Sequence, residues 1–513
     1  MKRLVKVKGT RFYFLDIASN EFIRIPQRLY DLFDEDGELI ADTPKNVDEG
    51  EILGLKNRFS KGMSPCVCGL PSSILYRNQR FSLDDFLRQH CRHLILELTE
   101  KCNLRCSYCV FSGSYLHFRE HGSRSLSLDT AQKAIRDFLD RSVGEHVISF
   151  FGGEPLLELS LLQTIVEFAV EYGKSLGKKP RFALTTNGTL LTPTIVRYLF
   201  ERNFYIDISL DGDKEIHDSY RKFHGRHDSV FDMIIKNMWD VAAEFPSINQ
   251  LSVIATLASP MHYEKRNAFF RDLCKPFQLI GSSFLRTSVG QSETCCGSAC
   301  TKEVWFVKSI EDAKEFQSLE QRFLENLIKN PEEAIQQYPL IACIMRERLS
   351  AIHYRQLRTS EDSEYYKIPC FPGYQKLFLD INGVYYPCER TERSPNYQLG
   401  TVESGFDAQK AILLMDKFRN MVDCVQCDTR YLCELCYAEL HECCEGVFDR
   451  TDYERRCDVV RSSVRKNLSD YILLAESDPK ILECLCTRET FEDDVLIPKQ
   501  KIFENDFLQS CQK

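Results

Sequence analysis

The region from residue 92 to residue 285 alternates short apolar runs with amphipathic segments. Apolar runs of strand length that end in polar or glycine residues occupy 94–98, 147–151, 182–186, 205–210 and 251–257. Between them, apolar residues recur at helical spacing in 128–139, 161–172, 194–200 and 231–242. This order predicts parallel βα units in an α/β fold. Six units fit in 92–285, whereas an eight-unit barrel needs roughly 200–250 residues at least.

A different pattern precedes these units. Residues 4–7 and 11–15 predict two strands joined by a turn at Gly9, and 25–33 predicts a short amphipathic helix that begins near Pro26. The stretch 35–62, rich in Asp, Glu, Gly and Lys, is typical of a linker or loop. We therefore expect either a small α+β module within residues 1–85 or a simple extension that packs on the α/β core.

Three closely spaced cysteines follow the first strand of the core. Cys102, Cys106 and Cys109 form a C-x3-C-x2-C pattern after the apolar run 94–98. Parallel α/β sheets bind ligands at this end of a strand, and three thiolates can hold three irons of a [4Fe–4S] cluster while the fourth iron stays open. A chance triplet or a partial zinc site is the alternative. Zinc usually takes two cysteine pairs roughly a dozen residues apart, and no second pair lies near these three.

Polar residues also end the next strands of the core. The run 147–151 leads into Gly-Gly-Glu-Pro at 152–155, where glycines allow close approach of the backbone to a ligand and the glutamate can accept a hydrogen bond from an ammonium. Asn187 and Ser209 follow the next two strands. Each of these residues is also compatible with ordinary turn chemistry.

A second group of cysteines lies toward the C-terminus. Asn382 and Gly383 stand between two apolar runs, a pattern that predicts a tight β-hairpin. Such a hairpin would bring Cys370 and Cys388 together. A zinc ribbon is the alternative, but ribbons usually separate their two C-x2-C pairs by roughly 15–20 residues, and here five residues separate Cys427 from Cys433.

Composition restricts the class of protein. With 513 residues, 43% of them apolar, the chain is long enough for more than one domain. Its net charge of −9 disfavours a nucleic-acid-binding surface. No signal-peptide pattern and no apolar run approaching about 18 residues is evident, so we expect a cytoplasmic protein. In that compartment the 23 cysteines indicate metal binding rather than disulfides.

The cysteine loop, the Gly-Gly-Glu-Pro turn and the polar strand ends together resemble the radical S-adenosylmethionine (SAM) superfamily. The resemblance implies a partial (β/α)6 barrel and a [4Fe–4S] cluster on the three loop cysteines, whose open iron binds SAM. It implies that one electron from this cluster cleaves SAM to methionine and a 5′-deoxyadenosyl radical, which takes hydrogen from a substrate carbon. It identifies no catalytic side chain. The residues implied in SAM binding are Tyr108, Gly152, Gly153, Glu154, Pro155, Asn187 and Ser209.

The C-terminal cysteines resemble the SPASM domain of radical SAM enzymes that modify peptides, although the last pair is spaced x2 instead of the family's x3. The resemblance implies two auxiliary clusters, and so three [4Fe–4S] clusters in all. The ligands implied for the first auxiliary cluster are Cys370, Cys388 and Cys436, and those for the second are Cys424, Cys427, Cys433 and Cys457. The adjacent Cys443 and Cys444 compete with Cys457 for the second cluster.

The first auxiliary cluster has no evident fourth ligand. Cys343 is the nearest upstream candidate, with Cys295, Cys296 and Cys300 behind it. The other alternative is an open iron that binds a substrate thiolate.

The combined resemblance is to maturases of ribosomally synthesised, cysteine-rich peptides, and it implies thioether crosslinks formed by hydrogen abstraction. The N-terminal module would capture the leader of a precursor peptide as an added strand. We expect an electron donor such as flavodoxin or ferredoxin as a further partner, and neither nucleic acid nor a membrane. The expected domains are a recognition module (1–85), the radical SAM core (92–285), a helical bridging region (286–367), the SPASM domain (368–460) and a C-terminal tail (461–513).

Two other functions share some of these features. An anaerobic sulfatase-maturating enzyme, which forms formylglycine, has the same core and SPASM domain. Such relatives carry Asp, a proposed base, directly after the second SPASM cysteine, where this chain has Glu389, and they lack so long an N-terminal module. Both differences favour the peptide maturase. A non-catalytic iron–sulfur electron-transfer protein is the second alternative, and the open first cluster speaks against it.

Overall fold

The computed structural model describes residues 4–17, 19–34, 40, 50, 73–76, 79–113, 118–245, 250–274, 285–289, 310–355, 370–420, 424, 427–433, 435–439 and 450–486. The strands in these ranges are β1 (Leu4–Lys8), β2 (Phe12–Asp16), β3 (Glu21–Ile25), β4 (Ser73–Tyr76), β5 (Gln79–Ser82), β6 (His93–Thr99), β7 (Val147–Gly152), β8 (Arg181–Thr186), β9 (Phe204–Ser209), β10 (Leu251–Leu257), β11 (Leu285–Val289), β12 (Leu377–Leu379), β13 (Tyr385–Tyr386), β14 (Gly400–Thr401) and β15 (Gly405–Phe406).

The main sheet has eight strands in the order β11-β10-β9-β8-β7-β6-β12-β13. Its strands β6 to β11 are all parallel, and at least one helix joins each to the next. This arrangement confirms the predicted α/β fold with six parallel strands. The sixth strand, β11, begins at the residue where the predicted core ends and continues four residues further, to Val289.

The α-helices of the described chain surround this sheet and fill the segments on either side of it. They span Gln27–Tyr30, Leu83–Gln89, Leu128–Arg141, Leu159–Ser175, Pro193–Glu201, Lys214–Tyr220, Val230–Glu244, Tyr263–Cys274, Ile310–Lys329, Pro331–Gln337, Pro339–His353, Ala408–Asn420, Arg450–Ser477 and Pro479–Leu485. The last long helix runs through the predicted boundary between SPASM domain and tail at 460.

The barrel helices begin where the sequence supplies a capping side chain. The Ser127 hydroxyl accepts a hydrogen bond from the Thr130 backbone N–H at 3.0 Å, and Ser229 caps the helix Val230–Glu244 in the same way. Such a cap satisfies one of the N–H groups that the first helical turn leaves without a partner. Each helix then buries an apolar stripe against the sheet, so capping and periodicity act together.

Strand β6 faces two different cores because its side chains alternate. Leu94 and Leu96 belong to the large core shared with the barrel helices. Ile95 belongs to a second core together with Phe378 of β12 and Tyr386 of β13. The C-terminal region therefore packs directly on one face of the strand that leads into the cysteine loop.

The predicted hairpin of the C-terminal region is confirmed, and it is part of the main sheet. β12 pairs in parallel with β6, and β13 pairs antiparallel with β12. The Asp380 carboxylate closes the turn, accepting hydrogen bonds from the backbone N–H groups of Asn382 and Val384 at 2.9 Å each. Gly383 has φ +80, a conformation that favours glycine.

The N-terminal module contains an element that the sequence did not predict. The order β1-β2-β3 forms a separate antiparallel sheet, so residues 21–25 are a strand and the predicted helix 25–33 is reduced to Gln27–Tyr30. Strand β1 packs on the helix Arg450–Ser477, and Val5 and Val7 belong to the large core. Most of the predicted linker 35–62 lies outside the described residues.

None of the helices in the described ranges is long and apolar enough to cross a membrane.

Candidate active site

The cysteine loop leaves the end of β6 and is held by the segment that follows the helix Lys214–Tyr220. The Ser107 backbone N–H donates to the Tyr220 carbonyl at 2.9 Å, and that of Arg105 donates to the Lys222 carbonyl at 2.8 Å. In the reverse direction, the His224 N–H donates to the Asn103 carbonyl at 2.9 Å. The loop is therefore fixed by backbone hydrogen bonds on both sides of Cys106.

The three loop thiols are partly buried and close together. Burial, with smaller contributions from Glu154 and Cys109, raises the pKa of Cys102 to about 11. Burial also raises the pKa of Cys106 to about 12, with Cys109 and Cys102 adding to the effect and Arg221 opposing it. The Leu104 backbone N–H points at the Cys102 sulfur at 3.4 Å. In the metal-free protein these groups are thiols, and an iron cluster would have to displace their protons.

The donor set of the loop consists of three thiols, the side chains that hold iron–sulfur clusters. Within the described residues, no three His, Cys, Asp or Glu side chains are grouped so that they could hold one ion. The thiolates of a zinc site all lie about 2.3 Å from the same metal, whereas each thiolate of a [4Fe–4S] cluster binds its own iron. A loop with three neighbouring but separate thiols suits the cluster.

Tyr108, which the family resemblance implies in SAM binding, is buried in a polar network. Its hydroxyl donates to the Asp211 carboxylate, and the Arg221 guanidinium lies 5.4 Å from its ring centre. Tyr220 packs against the same ring, at 5.7 Å between ring centres. The aromatic side chain is thus held between the cysteine loop and the segment that anchors it.

The two glycines of the Gly-Gly-Glu-Pro turn serve a close backbone contact. A Cβ at Gly152 would lie 2.3 Å from the Thr99 carbonyl oxygen, and one at Gly153 would lie 2.0 Å from the Lys101 carbonyl oxygen. The Glu154 N–H donates to that Lys101 carbonyl at 2.7 Å. The turn therefore lies against the backbone directly before Cys102. From the sequence, the two glycines were predicted only to allow close approach to a ligand, so this backbone contact is an additional role.

Glu154 is fully buried and accepts hydrogen bonds from three donors. These are the Thr186 hydroxyl at 2.8 Å, the Asn187 backbone N–H at 2.7 Å and the Leu156 N–H at 3.1 Å. Burial raises the pKa of the Glu154 carboxyl to about 7, and the hydrogen bonds oppose that rise. The residue joins the ends of β7 and β8.

The remaining predicted SAM contacts lie at the same end of the sheet. The Asn187 side-chain amide donates to Asn103 in the cysteine loop at 2.8 Å, which couples β8 to that loop. Ser209, at the end of β9, is 9% exposed. Pro155 begins the short 3-10 helix Pro155–Glu158. The structure therefore brings the predicted residues to one edge of the sheet, around the cysteine loop.

The C-terminal cysteines that the structure describes lie in two groups. The pKa of Tyr437 lies well above its usual range because of burial and of the nearby Cys370, Cys388 and Cys436. The Tyr437 hydroxyl points at the Cys370 sulfur at 3.7 Å. This is the first auxiliary group.

The second group surrounds Cys457, which lies on the helix Arg450–Ser477. Burial and the proximity of Cys424, Cys433 and Cys427 raise the pKa of the Cys457 thiol to about 12. The competing residues Cys443 and Cys444 lie outside the described residues, as do Cys295, Cys296 and Cys300.

Several charged residues around the loop were not predicted. Asp211 accepts two hydrogen bonds from Arg221, at 2.8 and 3.1 Å, and both side chains are buried. On β6, Glu97 is paired with Arg119. The only available signal was the position of Asp211 at a strand end, and nothing in the sequence connects it to an arginine ten residues later.

Residues 96–249 match the model of the Radical SAM superfamily. Fold, cysteine loop and family model agree that residues 96–249 form a domain of the radical SAM type, the domain on which radical SAM enzymes are built. Similarity to that superfamily implies SAM and a [4Fe–4S] cluster as cofactors.

Curated proteins resemble the chain over part of its length. An uncharacterized protein of Methanocaldococcus jannaschii is 32% identical over 143 residues, 28% of this chain and 46% of that protein. A cysteine-type anaerobic sulfatase-maturating enzyme of Clostridium novyi is 27% identical over 179 residues (35% and 47%). A serine-type anaerobic sulfatase-maturating enzyme of Bacteroides thetaiotaomicron is 31% identical over 123 residues (24% and 29%). The chain matches less than half the length of each of these relatives.

Solved structures share the fold over a larger part of the chain. The structure of anSMEcpe with bound AdoMet has a TM-score of 0.55 at 18% identity and covers 77% of this chain and 98% of its own. The structure of anSMEcpe with bound AdoMet and Cp18Cys peptide has a TM-score of 0.52 at 17% identity and covers 77% and 98%. At these identities the likeness concerns the fold alone.

Proposed function

We propose that the protein is a radical SAM maturase that forms thioether crosslinks in a ribosomally synthesised, cysteine-rich peptide. The observation that carries this proposal is the attachment of the C-terminal cysteine groups to the barrel. β12 pairs with β6, the strand that leads to Cys102, and the core of the first auxiliary group packs on Ile95 of that strand. A substrate on this side of the barrel would lie between the cysteine loop and the first auxiliary group.

The residues of the chain would position SAM at the cysteine loop. When bound, the cluster on Cys102, Cys106 and Cys109 supplies one electron and thereby the 5′-deoxyadenosyl radical. A carboxylate has about four acceptor positions, and three donors contact Glu154, so one position remains for the SAM ammonium. Tyr108, packed against Tyr220, would face the adenine.

The peptide nature of the substrate has two supports. The sulfatase-maturating relatives act on protein substrates by their names, and a structure of the same fold contains a peptide beside AdoMet. An electron donor such as flavodoxin or ferredoxin would reduce the clusters.

A second candidate is formylglycine formation, which the sulfatase-maturating relatives favour. The two reactions leave different products. A thioether link removes two hydrogens and consumes a thiol, whereas formylglycine formation from cysteine loses the sulfur.

Iron content tests the cofactor part of the proposal. We expect about twelve irons per chain after anaerobic reconstitution, in three clusters of four. Replacing Cys102, Cys106 and Cys109 with Ala should remove about four irons and all SAM cleavage. Cys484→Ala is the matched control, since this thiol belongs to none of the three groups. Stoichiometric zinc with no iron absorbance would contradict the proposal.

Product mass distinguishes the two reactions. We expect a peptide that is lighter by two hydrogens for each modified cysteine and that resists alkylation there after reduction. A disulfide gives the same mass change but reopens under reductant, so the reduction step is essential. Loss of sulfur would instead identify formylglycine formation, and an unchanged mass would contradict both.

The N-terminal sheet would bind the leader of the precursor as an added strand, along β3 at its edge. Deleting residues 1–85 should weaken peptide binding and modification and spare uncoupled SAM cleavage. The deletion also uncovers core contacts of Val5 and Val7, so a photo-crosslinking residue at Glu21 is the sharper test. It should capture the precursor, whereas the same residue at the exposed Trp239 should not. Equal capture at both positions would contradict leader binding at β3.

A further inference from the structure

The first auxiliary group has three cysteines, and a cluster of four irons offers a place for one more ligand. Cys343, the nearest upstream candidate, is fully buried on the helix Pro339–His353, and its thiol lies 3.9 Å from the Glu347 carboxylate. It belongs to the large core, whereas Cys388 and Cys370 belong to the core beside β12 and β13. Among the described residues, the fourth ligand is therefore to be sought next to Cys370 and Cys388.

Glu389 directly follows Cys388, in the turn after β13. Its side chain is 18% exposed, and its Oε1 lies 3.0 Å from the Lys376 ammonium. Its Oε2 is buried and has no hydrogen-bond partner among the described residues. A buried carboxylate oxygen without a donor is costly, so this atom indicates a partner that the described residues do not provide.

Lys376 comes from the turn that carries Cys370. The Gly373 N–H donates to the Lys376 carbonyl at 3.1 Å, and the Phe371 N–H donates to the Gln375 side chain at 2.7 Å, which closes that turn. The turn thus carries both the Cys370 thiol and the Lys376 ammonium, and this ammonium orients the Glu389 carboxylate. Groups that bind metals are commonly held in this way by a second hydrogen-bonding partner.

We propose that Glu389 is the fourth ligand of the first auxiliary cluster and binds its remaining iron through Oε2. This inference rests on the cluster assignment of the proposed function. Glu389 and Cys388 are adjacent in the chain, and their side chains share one neighbourhood.

An oxygen ligand has a consequence for the reaction. Thiolate is a softer ligand than carboxylate and suits iron–sulfur clusters better. A substrate cysteine could therefore replace Glu389 more readily than it could replace a fourth cysteine. The cluster would be complete without substrate and still able to take a substrate thiolate.

The test uses the full-length protein without peptide. Cys102, Cys106 and Cys109 are replaced with Ala, so that only the auxiliary clusters remain, with about eight irons. Mössbauer spectra of the ⁵⁷Fe-reconstituted protein should show one iron with an oxygen ligand. Glu389→Gln should lose about one iron, and Glu389→Cys should restore it with a lower reduction potential, since non-thiolate ligands raise the potential of such clusters.

Matched variants separate ligation from a structural role. Glu392→Gln changes another buried carboxylate of the same loop and should retain all irons. Lys376→Met should also retain all irons, because Lys376 does not bind iron. If Glu389 mattered only through its ion pair with Lys376, then Lys376→Met and Glu389→Gln should lose the same amount of iron. Sulfur-only ligation in the Mössbauer spectrum, or Glu389→Gln with unchanged irons and spectrum, would overturn the inference. A parent protein without a first auxiliary cluster would instead contradict the proposed function.

Discussion

Asp211 and Arg221 form a buried ion pair beside the cysteine loop, joined by two hydrogen bonds of 2.8 and 3.1 Å. Burial alone would raise the pKa of Asp211, but Arg221 lowers it to about 2. The carboxylate also accepts from the Thr256 backbone N–H at 2.9 Å and from the Tyr108 hydroxyl. The Asp211 side chain, just after the end of β9, thus connects this strand end with β10 and with Tyr108 in the cysteine loop.

Asp211→Asn should destabilise the protein strongly, because it leaves the Arg221 charge buried without its counter-ion. Removing one partner of a buried pair costs about 3–5 kcal/mol. The control is Asp232→Asn, which breaks an exposed pair with Lys214 and should cost at most about 1 kcal/mol. Urea unfolding of both variants measures the difference. Equal, small losses would show that Arg221 is solvated when Asp211 is absent.

His217 should make the stability depend on pH. The imidazole is fully buried, and burial lowers its pKa from 6.5 to about 4, with Arg221 and Arg266 acting in the same direction and Asp211 and Asp218 opposing them. As the pH falls, His217 takes up a proton in the unfolded chain before it does so in the folded protein. Its contribution to the free energy of unfolding is therefore complete above pH 6.5 and is lost as the pH falls toward 4.

The measurement compares the wild type with His217→Gln in urea unfolding at two pH values. Between pH 7 and pH 5 the wild type should lose about 2 kcal/mol more than the variant, since each pH step below the unfolded pKa costs about 1.4 kcal/mol. Parallel pH dependences of the two proteins would show that His217 is protonated in the folded state.

Local sequence patterns predicted most of the helices and strands of the barrel. Helix periodicity and strand ends placed the elements around Cys102 within a few residues, and Asn382-Gly383 placed the hairpin. Strand β3 was missed because Glu21 and Arg24 interrupt its apolar pattern, which became visible only through pairing with β2.

Pairings between distant residues could not be predicted. Asp211 and Arg221 lie on different elements, and nothing in composition or spacing links them. Gly152 and Gly153 were recognised, but the atoms that require them belong to the backbone at Thr99 and Lys101. Such contacts depend on how strands come together, which periodicity does not specify.

Gly153→Ala should disturb the cysteine loop. Its Cβ would lie 2.0 Å from the Lys101 carbonyl oxygen, and this backbone cannot yield without moving Cys102. We expect loss of about four irons, those of one cluster, and reduced SAM binding in calorimetry. The control is Gly144→Ala, where φ is +87 and nothing lies within 4 Å. It should cost about 1–2 kcal/mol of backbone strain and keep all irons. Full iron content in Gly153→Ala would contradict the prediction.

Glu476 should hold the N-terminal sheet against the enzyme. Its carboxylate accepts from the backbone N–H groups of Thr10 at 2.6 Å and Arg11 at 3.0 Å, and from the Tyr13 hydroxyl at 2.9 Å. Hydrogen bonds to a charged group contribute about 1.5–3 kcal/mol each when both partners are well ordered. Glu476→Ala should therefore loosen β1 and β2 while the barrel stays folded.

Hydrogen–deuterium exchange measures this loosening directly. In Glu476→Ala we expect faster exchange in residues 4–16 and unchanged exchange in β6 to β10. Glu454→Ala is the control, because it removes an exposed carboxylate of the same helix that pairs with Arg450, four residues before it. If the N-terminal sheet also positions the precursor peptide, Glu476→Ala should lower peptide modification more than uncoupled SAM cleavage. Unchanged exchange in residues 4–16 would mean that the apolar contacts of Val5 and Val7 hold the sheet without Glu476.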